Sequence, residues 1–329
     1  MSSLGYAVLH VPPREIPIPS HLSPQAQAVL AQGPVEGVPW PDTDDPVGWH
    51  EHIAVMDQKV LDMLAAAPRP VGSDVREVVV GQAVVYAITP HDCNRQDRRT
   101  YLELHGGAFV LGGGELCRQS GIASAGRLGC QVWSLDYRMP PDHPFPAALD
   151  DCLTAYRQLL ADRDPGDIIV GGGSAGGNLA AALALRARDE GLPLPAALVI
   201  VSPGADLTAS GDTHYTNFGV DTVSVLPSLA PTKLYVGNHD IRHPYVSPLY
   251  GDFAPGFPPT LLASGTRDVL LSDTVRLHRA LRNTGVAAEL HVLEAAPHGG
   301  FFGAAPEDDQ LWREIRQFAE RHWSASDGG

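Results

Sequence analysis

A mostly parallel β-sheet with helices on both faces is predicted by three features of this 329-residue chain. From about residue 60, short β-branched or apolar runs alternate with amphipathic helical stretches, the pattern of a sheet covered on both sides. Eight strand-like runs are present, which fit one sheet. A glycine-rich turn, "GGGSAGG" at 171–177, joins one of those runs directly to an alanine-rich helical stretch. With 44% hydrophobic residues, the chain can bury a substantial core.

The strand-like runs, in order, are "VREVVVG" (75–81), "AVVYAITP" (83–90), "RTYLELHG" (99–106), "QVWSLDYR" (131–138), "DIIVGG" (167–172), "AALVIVS" (196–202), "PTLLASG" (259–265) and "AELHVLEA" (288–295). Between them lie the helical runs 116–129, 145–162, 177–191 and 272–285, and "PEDDQLWREIRQFAERHW" (306–323) follows the last strand. The run 272–285 is expected to start after Ser272, with Asp273 in its first turn, and to end at Asn283 to Gly285. Up to about residue 60 the chain is proline-rich, with one short helical run, "SPQAQAVLAQ", capped by Ser23 with Pro24 at its first position. This reads as an appended arm or lid. Residues 205 to about 255 are longer and less periodic than a crossover requires, as lids and binding loops are.

Composition excludes several classes. Thirty-eight acidic against 23 basic residues give a formal charge of -15, and no basic stripe is present to follow phosphates, so nucleic acid is not an expected partner. No run of eighteen uncharged apolar residues occurs, and residues 1–20 carry neither a basic nor an apolar leader region, which reads as a soluble, unsecreted, cytoplasmic protein without a membrane span. The four cysteines, Cys93, Cys117, Cys130 and Cys152, have no Cys-x-x-Cys spacing and read as reduced structural thiols.

Gly172-Gly173-Ser174-Ala175-Gly176 matches Gly-x-Ser-x-Gly, the sharp strand-to-helix turn that lifts a serine hydroxyl above a sheet edge in α/β-hydrolases. Glycine is required two residues either side of the serine because side chains there would collide. The same letters satisfy Gly-x-Gly-x-x-Gly (Gly171, Gly173, Gly176), the dinucleotide fingerprint, but that reading needs an acid ending the next strand, and none occurs before Asp206.

Serine attack on a carbonyl needs amide donors for the developing oxyanion, and "HGGAFVLGGG" (105–114), with small residues at Gly106, Gly107 and Ala108, offers them together with the amide of Ala175. The hydroxyl also needs a base fixed by an acid. His298, in "EAAPHGGFFG" after the last strand run, and Asp268, just past the seventh, lie at the same predicted sheet edge as Ser174, and the order Ser174, Asp268, His298 is that of the α/β-hydrolases. Asp273 is the nearest competitor and suits a helix N-terminus better. His239 and His243 have helical i, i+4 spacing but no nearby third metal ligand, so no metal is expected.

With these motifs, residues 75 to about 320 resemble the hormone-sensitive-lipase-like branch of the α/β-hydrolases, most specifically through "LDYRMPPDHPFPAALDD" (135–151). The resemblance implies an eight-stranded α/β-hydrolase fold in residues 61–329, with residues 1–60 and an insertion at about 205–255 forming a helical cap. It implies Ser174 as nucleophile, His298 as base, Asp268 as acid, the amides of Gly107, Ala108 and Ala175 as oxyanion hole, and His105 as a loop-shaping residue. It further implies a serine carboxylesterase acting on small short- to medium-chain esters without a cofactor, and a homodimer through the last strand and helix. Two positions depart from the pattern: Gly173 replaces the usual Asp and Ala108 the usual third glycine of the loop. A non-catalytic small-molecule receptor on the same fold is the alternative, although such receptors lose the histidine that this chain keeps; a nicotinamide-binding oxidoreductase is the third reading.

Overall fold

The computed structural model describes residues 9–34, 38–65, 72–94, 96–223 and 229–323. All eight strand runs form: β1 (Ser73–Val80), β2 (Ala83–Pro90), β3 (Thr100–Leu104), β4 (Gln131–Asp136), β5 (Ile168–Gly173), β6 (Ala197–Val201), β7 (Thr260–Gly265) and β8 (Ala288–Leu293). They make one sheet in the order β1-β2-β4-β3-β5-β6-β7-β8. β2 runs antiparallel to β1 and β4, and every pairing from β4 to β8 is parallel. The chain crosses from β3 to β4 in one direction and continues from β5 to β8 in the other. This reversal leaves a crevice at the carboxyl ends of β3 and β5, where ligands bind in open α/β sheets.

The parallel pairing explains why these strands read as unbroken apolar runs. Alternate residues of β3 enter different layers: Leu102 and Leu104 join a core with Val170, Leu179, Ile200 and Leu262, while Tyr101 packs with Ile169, Val199 and Leu261 on the opposite face. Among the described residues nine α-helices cover these faces: α1 (Pro24–Ala31), α2 (Pro46–Ala65), α3 (Glu115–Leu128), α4 (Ala147–Asp162), α5 (Ala175–Asp189), α6 (Thr213–Thr216), α7 (Ala230–Val236), α8 (Leu271–Asn283) and α9 (Pro306–His322). α3 and α9 lie over the Tyr101 face, and α4, α5 and α8 over the Leu102 face.

Ser23 caps α1 as expected, its hydroxyl accepting the amide of Ala26 at 3.1 Å. Three details differ. α2 was not foreseen within the proline-rich segment. Asp45 caps it by accepting the amide of Gly48 at 2.9 Å, Pro46 opens it, and Trp49 is fully buried with its indole N–H on the Asp42 carbonyl at 3.0 Å. α8 begins at Leu271 without a side-chain cap, and Ser272 instead accepts the amide of Thr213 at 2.9 Å, tying the insertion to the helix. α4 opens at Ala147, two residues after the expected start of the 145–162 run, with Pro146 at its N-cap.

No helix among the described residues is long and apolar enough to cross a membrane. Cys117, Cys130 and Cys152 are buried, and burial pushes each thiol well up from its ordinary value.

Candidate active site

Ser174 stands at the junction of β5 and α5 with φ 56° and ψ -118°, a strained conformation for a residue with a side chain. The glycines around it are fixed by close approach. A Cβ at Gly176 would run into the carbonyl oxygen of Leu104, and one at Gly172 would run into that oxygen and reach the Gly176 carbonyl carbon at 2.7 Å. β3 therefore passes directly beneath the turn. Gly173 differs: a Cβ there would meet only the Val201 carbonyl oxygen, at 3.7 Å.

The loops after β7 and β8 bring Asp268 and His298 to this point. The Ser174 hydroxyl donates to Nε2 of His298 at 3.0 Å, and Nδ1 of His298 donates to Oδ1 of Asp268 at 3.1 Å. Asp268 is fully buried, and it also accepts the Ser264 hydroxyl at 2.7 Å and the Leu270 amide at 2.8 Å. Burial alone would raise the carboxyl pKa, but the charge and hydrogen bond of His298, with further hydrogen bonds from Ser202 and the Leu270 amide, hold it below the usual value. Burial alone would lower the pKa of His298; the Asp268 carboxylate and the charge of Asp221 outweigh it, and the imidazole lies above its ordinary value.

The loop after β3 lies on the other side of Ser174. Among the described residues, the amides of Gly107, Ala108 and Ala175 donate to no other protein group, and Ala175 opens α5, where the helix dipole is positive. Gly107 has φ 117°, and a Cβ there would run into the Leu111 carbonyl, so the glycine is required. Ala108 has φ 54°, which glycine would adopt without strain. His105 takes no part in the hydrogen-bond chain from Ser174 to Asp268. Its ring stacks on Tyr137 at 4.0 Å, its Nδ1 donates to the Gly106 carbonyl at 2.8 Å, and burial lowers its pKa to about 4, so it is a neutral wall of the loop.

The structure also resolves the competitors. Asp273 is fully buried in the first turn of α8, accepting the amide of Asp206 at 2.9 Å and facing His214 at 3.2 Å, away from His298. Asp206 is committed to Arg276, Thr208 and Ser210, so no free acid ends β6 as the dinucleotide reading requires. His239 and His243 do not share a helix, because α7 ends at Val236; both rings pack against Phe145 instead. Among the described residues the one grouping with metal-ligand spacing is His105, Cys117 and Asp136, where the thiol already shares a 3.2 Å hydrogen bond with Ser134.

Sequence reasoning missed several buried carboxyl groups, Asp221 and Glu103 among them. Asp221, in the insertion, accepts the amide of His298 with both oxygens (3.2 and 3.3 Å) and the amide of Val269 at 3.0 Å. Glu103, in the centre of β3, is 7% exposed. An ionisable residue within an apolar strand run was its available signal; Asp221, in an aperiodic segment, gave none.

A profile of the α/β-hydrolase fold family matches residues 101–302. The chain belongs to the α/β-hydrolase family. Within it, this α/β-hydrolase falls in the hormone-sensitive-lipase-like branch that its motifs suggested. It is 40% identical over 210 residues to an acetyl-hydrolase of Streptomyces hygroscopicus, covering 63% of this chain and 69% of the relative. It is 34% identical over 221 residues to an esterase of Acinetobacter venetianus, covering 66% and 73%. Among solved structures it is similar to the esterase E25, with a TM-score of 0.84 at 35% identity over 96% of this chain and 99% of that one. It is also similar to an esterase of the bacterial hormone-sensitive lipase family, with a TM-score of 0.78 at 32% identity over 92% and 99%.

Proposed function

We propose that this α/β-hydrolase is a serine carboxylesterase that hydrolyses small esters through an acyl-enzyme. The observation that carries the reading is the unbroken hydrogen-bond chain from Ser174 through His298 to Asp268, at 3.0 and 3.1 Å. In the first step His298 takes the serine proton as the oxygen attacks the carbonyl, and Asp268 stabilises the resulting imidazolium. The tetrahedral oxyanion accepts from the amides of Gly107, Ala108 and Ala175. His298 then gives its proton to the leaving alcohol, and a water activated by the same imidazole releases the acid.

The class of enzyme agrees with the names of its relatives, which are esterases and acetyl-hydrolases. A cavity of about 730 Å³ beside the loop 105–107, walled by Met56, Val60, Leu64, Leu111 and Leu116, supports a short to medium apolar chain as one limb of the substrate. Met56 and Val60 come from α2, which supports a contribution of residues 1–60 to a cap over the pocket. The buried thiols support a cytoplasmic location. β8 ends the sheet with Val292 43% exposed, which supports a homodimer through this edge.

Incubation with a fluorophosphonate, followed by peptide mapping, tests the reading. Stoichiometric labelling of Ser174 with loss of p-nitrophenyl butanoate hydrolysis is expected; an unlabelled serine in folded protein would refute it.

A further inference from the structure

The loop 105–114 carries three consecutive residues at positive φ: Gly107 at 117°, Ala108 at 54° and Phe109 at 65°. Ala108 and Phe109 bear side chains, and such backbone persists only where its surroundings enforce it. Part of the enforcement is internal. The amides of Val110 and Leu111 both donate to the Gly107 carbonyl, at 3.0 and 2.8 Å. The returning limb of the loop then lies against the limb that bears the amides. A Cβ at Gly107 would run into the Leu111 carbonyl, and one at Gly112 would stand 2.8 Å from the Gly106 carbonyl oxygen. A shift of Gly112 is therefore passed directly to residues 106–108.

Two further holds come from outside the loop. Phe109 is buried and stacks face to face on Tyr235 of α7, with ring centres 3.8 Å apart. The second hold is polar: Oδ1 of Asp57, on α2, accepts the amide of Gly112 at 3.0 Å.

Docking of α2 does not account for an aspartate at this position. Asp57 adjoins Met56 and lies one turn from Val60, and all three line the 730 Å³ cavity. Burial pushes its carboxyl above the usual value, the Gly112 amide opposes that rise, and the charge of Asp136 adds to it. Among the described residues the carboxylate has no cation partner and no hydrogen bond besides the Gly112 amide. A leucine would seat the helix on the same wall without the cost of burying charge. What the carboxylate gains in return is a grip on the loop.

We propose that Asp57 is a positioning residue for the hydrolysis: through the Gly112 amide it holds the loop so that the amides of Gly107 and Ala108 meet the oxyanion. The proposal rests on the esterase reading and adds a residue of the N-terminal segment that acts through the loop, without touching the reacting atoms.

The oxyanion exists only in the transition states of acylation and deacylation, so a slackened loop lowers kcat and leaves KM nearly unchanged. A residue that merely seats α2 over the cavity acts differently. Its loss raises KM, and most for esters whose acyl chain reaches Met56 and Val60.

Steady-state kinetics of Asp57→Ala, Asp57→Leu and Asp57→Asn with p-nitrophenyl acetate and p-nitrophenyl hexanoate separate the two. In the Ala and Leu variants kcat is expected to fall by about tenfold or more for both esters, with KM within about twofold of the wild type. Asp57→Asn keeps an acceptor for the Gly112 amide and retains most of kcat. A trifluoromethyl ketone, whose carbonyl takes up the Ser174 oxygen and leaves an oxyanion at these amides, should bind the Ala and Leu variants more weakly by the same factor. Circular dichroism verifies the fold, and should Asp57→Ala fail to fold, Asp57→Leu, which suits the apolar wall, carries the test. An unchanged kcat in Asp57→Leu, a KM raised chiefly for the hexanoate, or an Asn variant as impaired as the Ala variant overturns the proposal. Those results leave the esterase reading standing, whereas a wild-type protein that hydrolyses neither ester and is unlabelled at Ser174 removes that reading itself.

Discussion

Asp221 and His298 are joined through backbone as well as charge: the carboxylate of Asp221 accepts the amide of His298 with both oxygens, at 3.2 and 3.3 Å. The same carboxylate accepts the amide of Val269, the residue after Asp268, at 3.0 Å. A single side chain from the 205–255 insertion therefore holds both loops that carry His298 and Asp268, the proposed base and acid. Asn217 reinforces the link by donating to the carbonyls of Thr266 and Asp268.

Asp221→Asn should shift the pH dependence. In the proposed mechanism His298 must be neutral to accept the serine proton, and its pKa is held above the ordinary 6.5 in part by the charge of Asp221. Activity is thus lost as pH falls through that raised value. Removing the charge lowers it, and the acid limb of kcat/KM moves to lower pH. Asp221→Ala, which also frees the His298 amide, should reduce kcat/KM by between about tenfold and a hundredfold through misplacement of the imidazole. A pH–rate profile unchanged in Asp221→Asn would show that the carboxylate acts only as a loop tie.

The glycines of the turn should not tolerate substitution equally. Gly176→Ala places a methyl group against the Leu104 carbonyl, which is backbone and cannot swing away, so a loss of stability of about 3 kcal/mol or more is expected. Gly173→Ala meets only a 3.7 Å contact and should melt within a few degrees of the wild type. Thermal denaturation of the two variants side by side decides this, and equal melting temperatures would contradict it.

Ala108→Gly should be tolerated or mildly stabilising. The residue sits at φ 54°, and relief of left-handed strain of roughly 1 kcal/mol is partly offset by the greater freedom of glycine in the unfolded chain. Its amide remains in place, so hydrolysis should persist. A kcat reduced by an order of magnitude with no change in stability would mean that the methyl group itself orients the loop.

Met56→Trp narrows the cavity beneath α2. The expected outcome is a shift of the preferred p-nitrophenyl ester toward shorter acyl chains, with the longest chains losing about tenfold or more in kcat/KM. An unchanged chain-length profile would assign the apolar limb to a different wall.

The sheet was readable because parallel strands are buried on both faces and so appear as short apolar runs, and all eight occur within a few residues of the expected positions. The meeting of Ser174, Asp268 and His298 was readable for a related reason, since residues just past neighbouring parallel strands must emerge at one edge. α2 was hidden by its surroundings: Pro46 opens the helix, but the prolines before it suggested an irregular arm, and the buried Trp49 gains its partners from Trp40 and the Asp42 carbonyl, not from a periodic face. The pairing of Asp221 with His298 spans 77 residues and depends on how an aperiodic segment folds back, which no local pattern encodes.

The contact between the Leu104 carbonyl and Gly176 limits how this enzyme can change. Leu104 leads directly into the loop carrying Gly107 and Ala108, so the strand that presents those amides is wedged against the turn that presents the hydroxyl. The two cannot drift apart or approach without unfolding the centre of the sheet. New substrates would have to be accommodated at α2, where side chains can be exchanged without disturbing the proposed catalytic turn and loop.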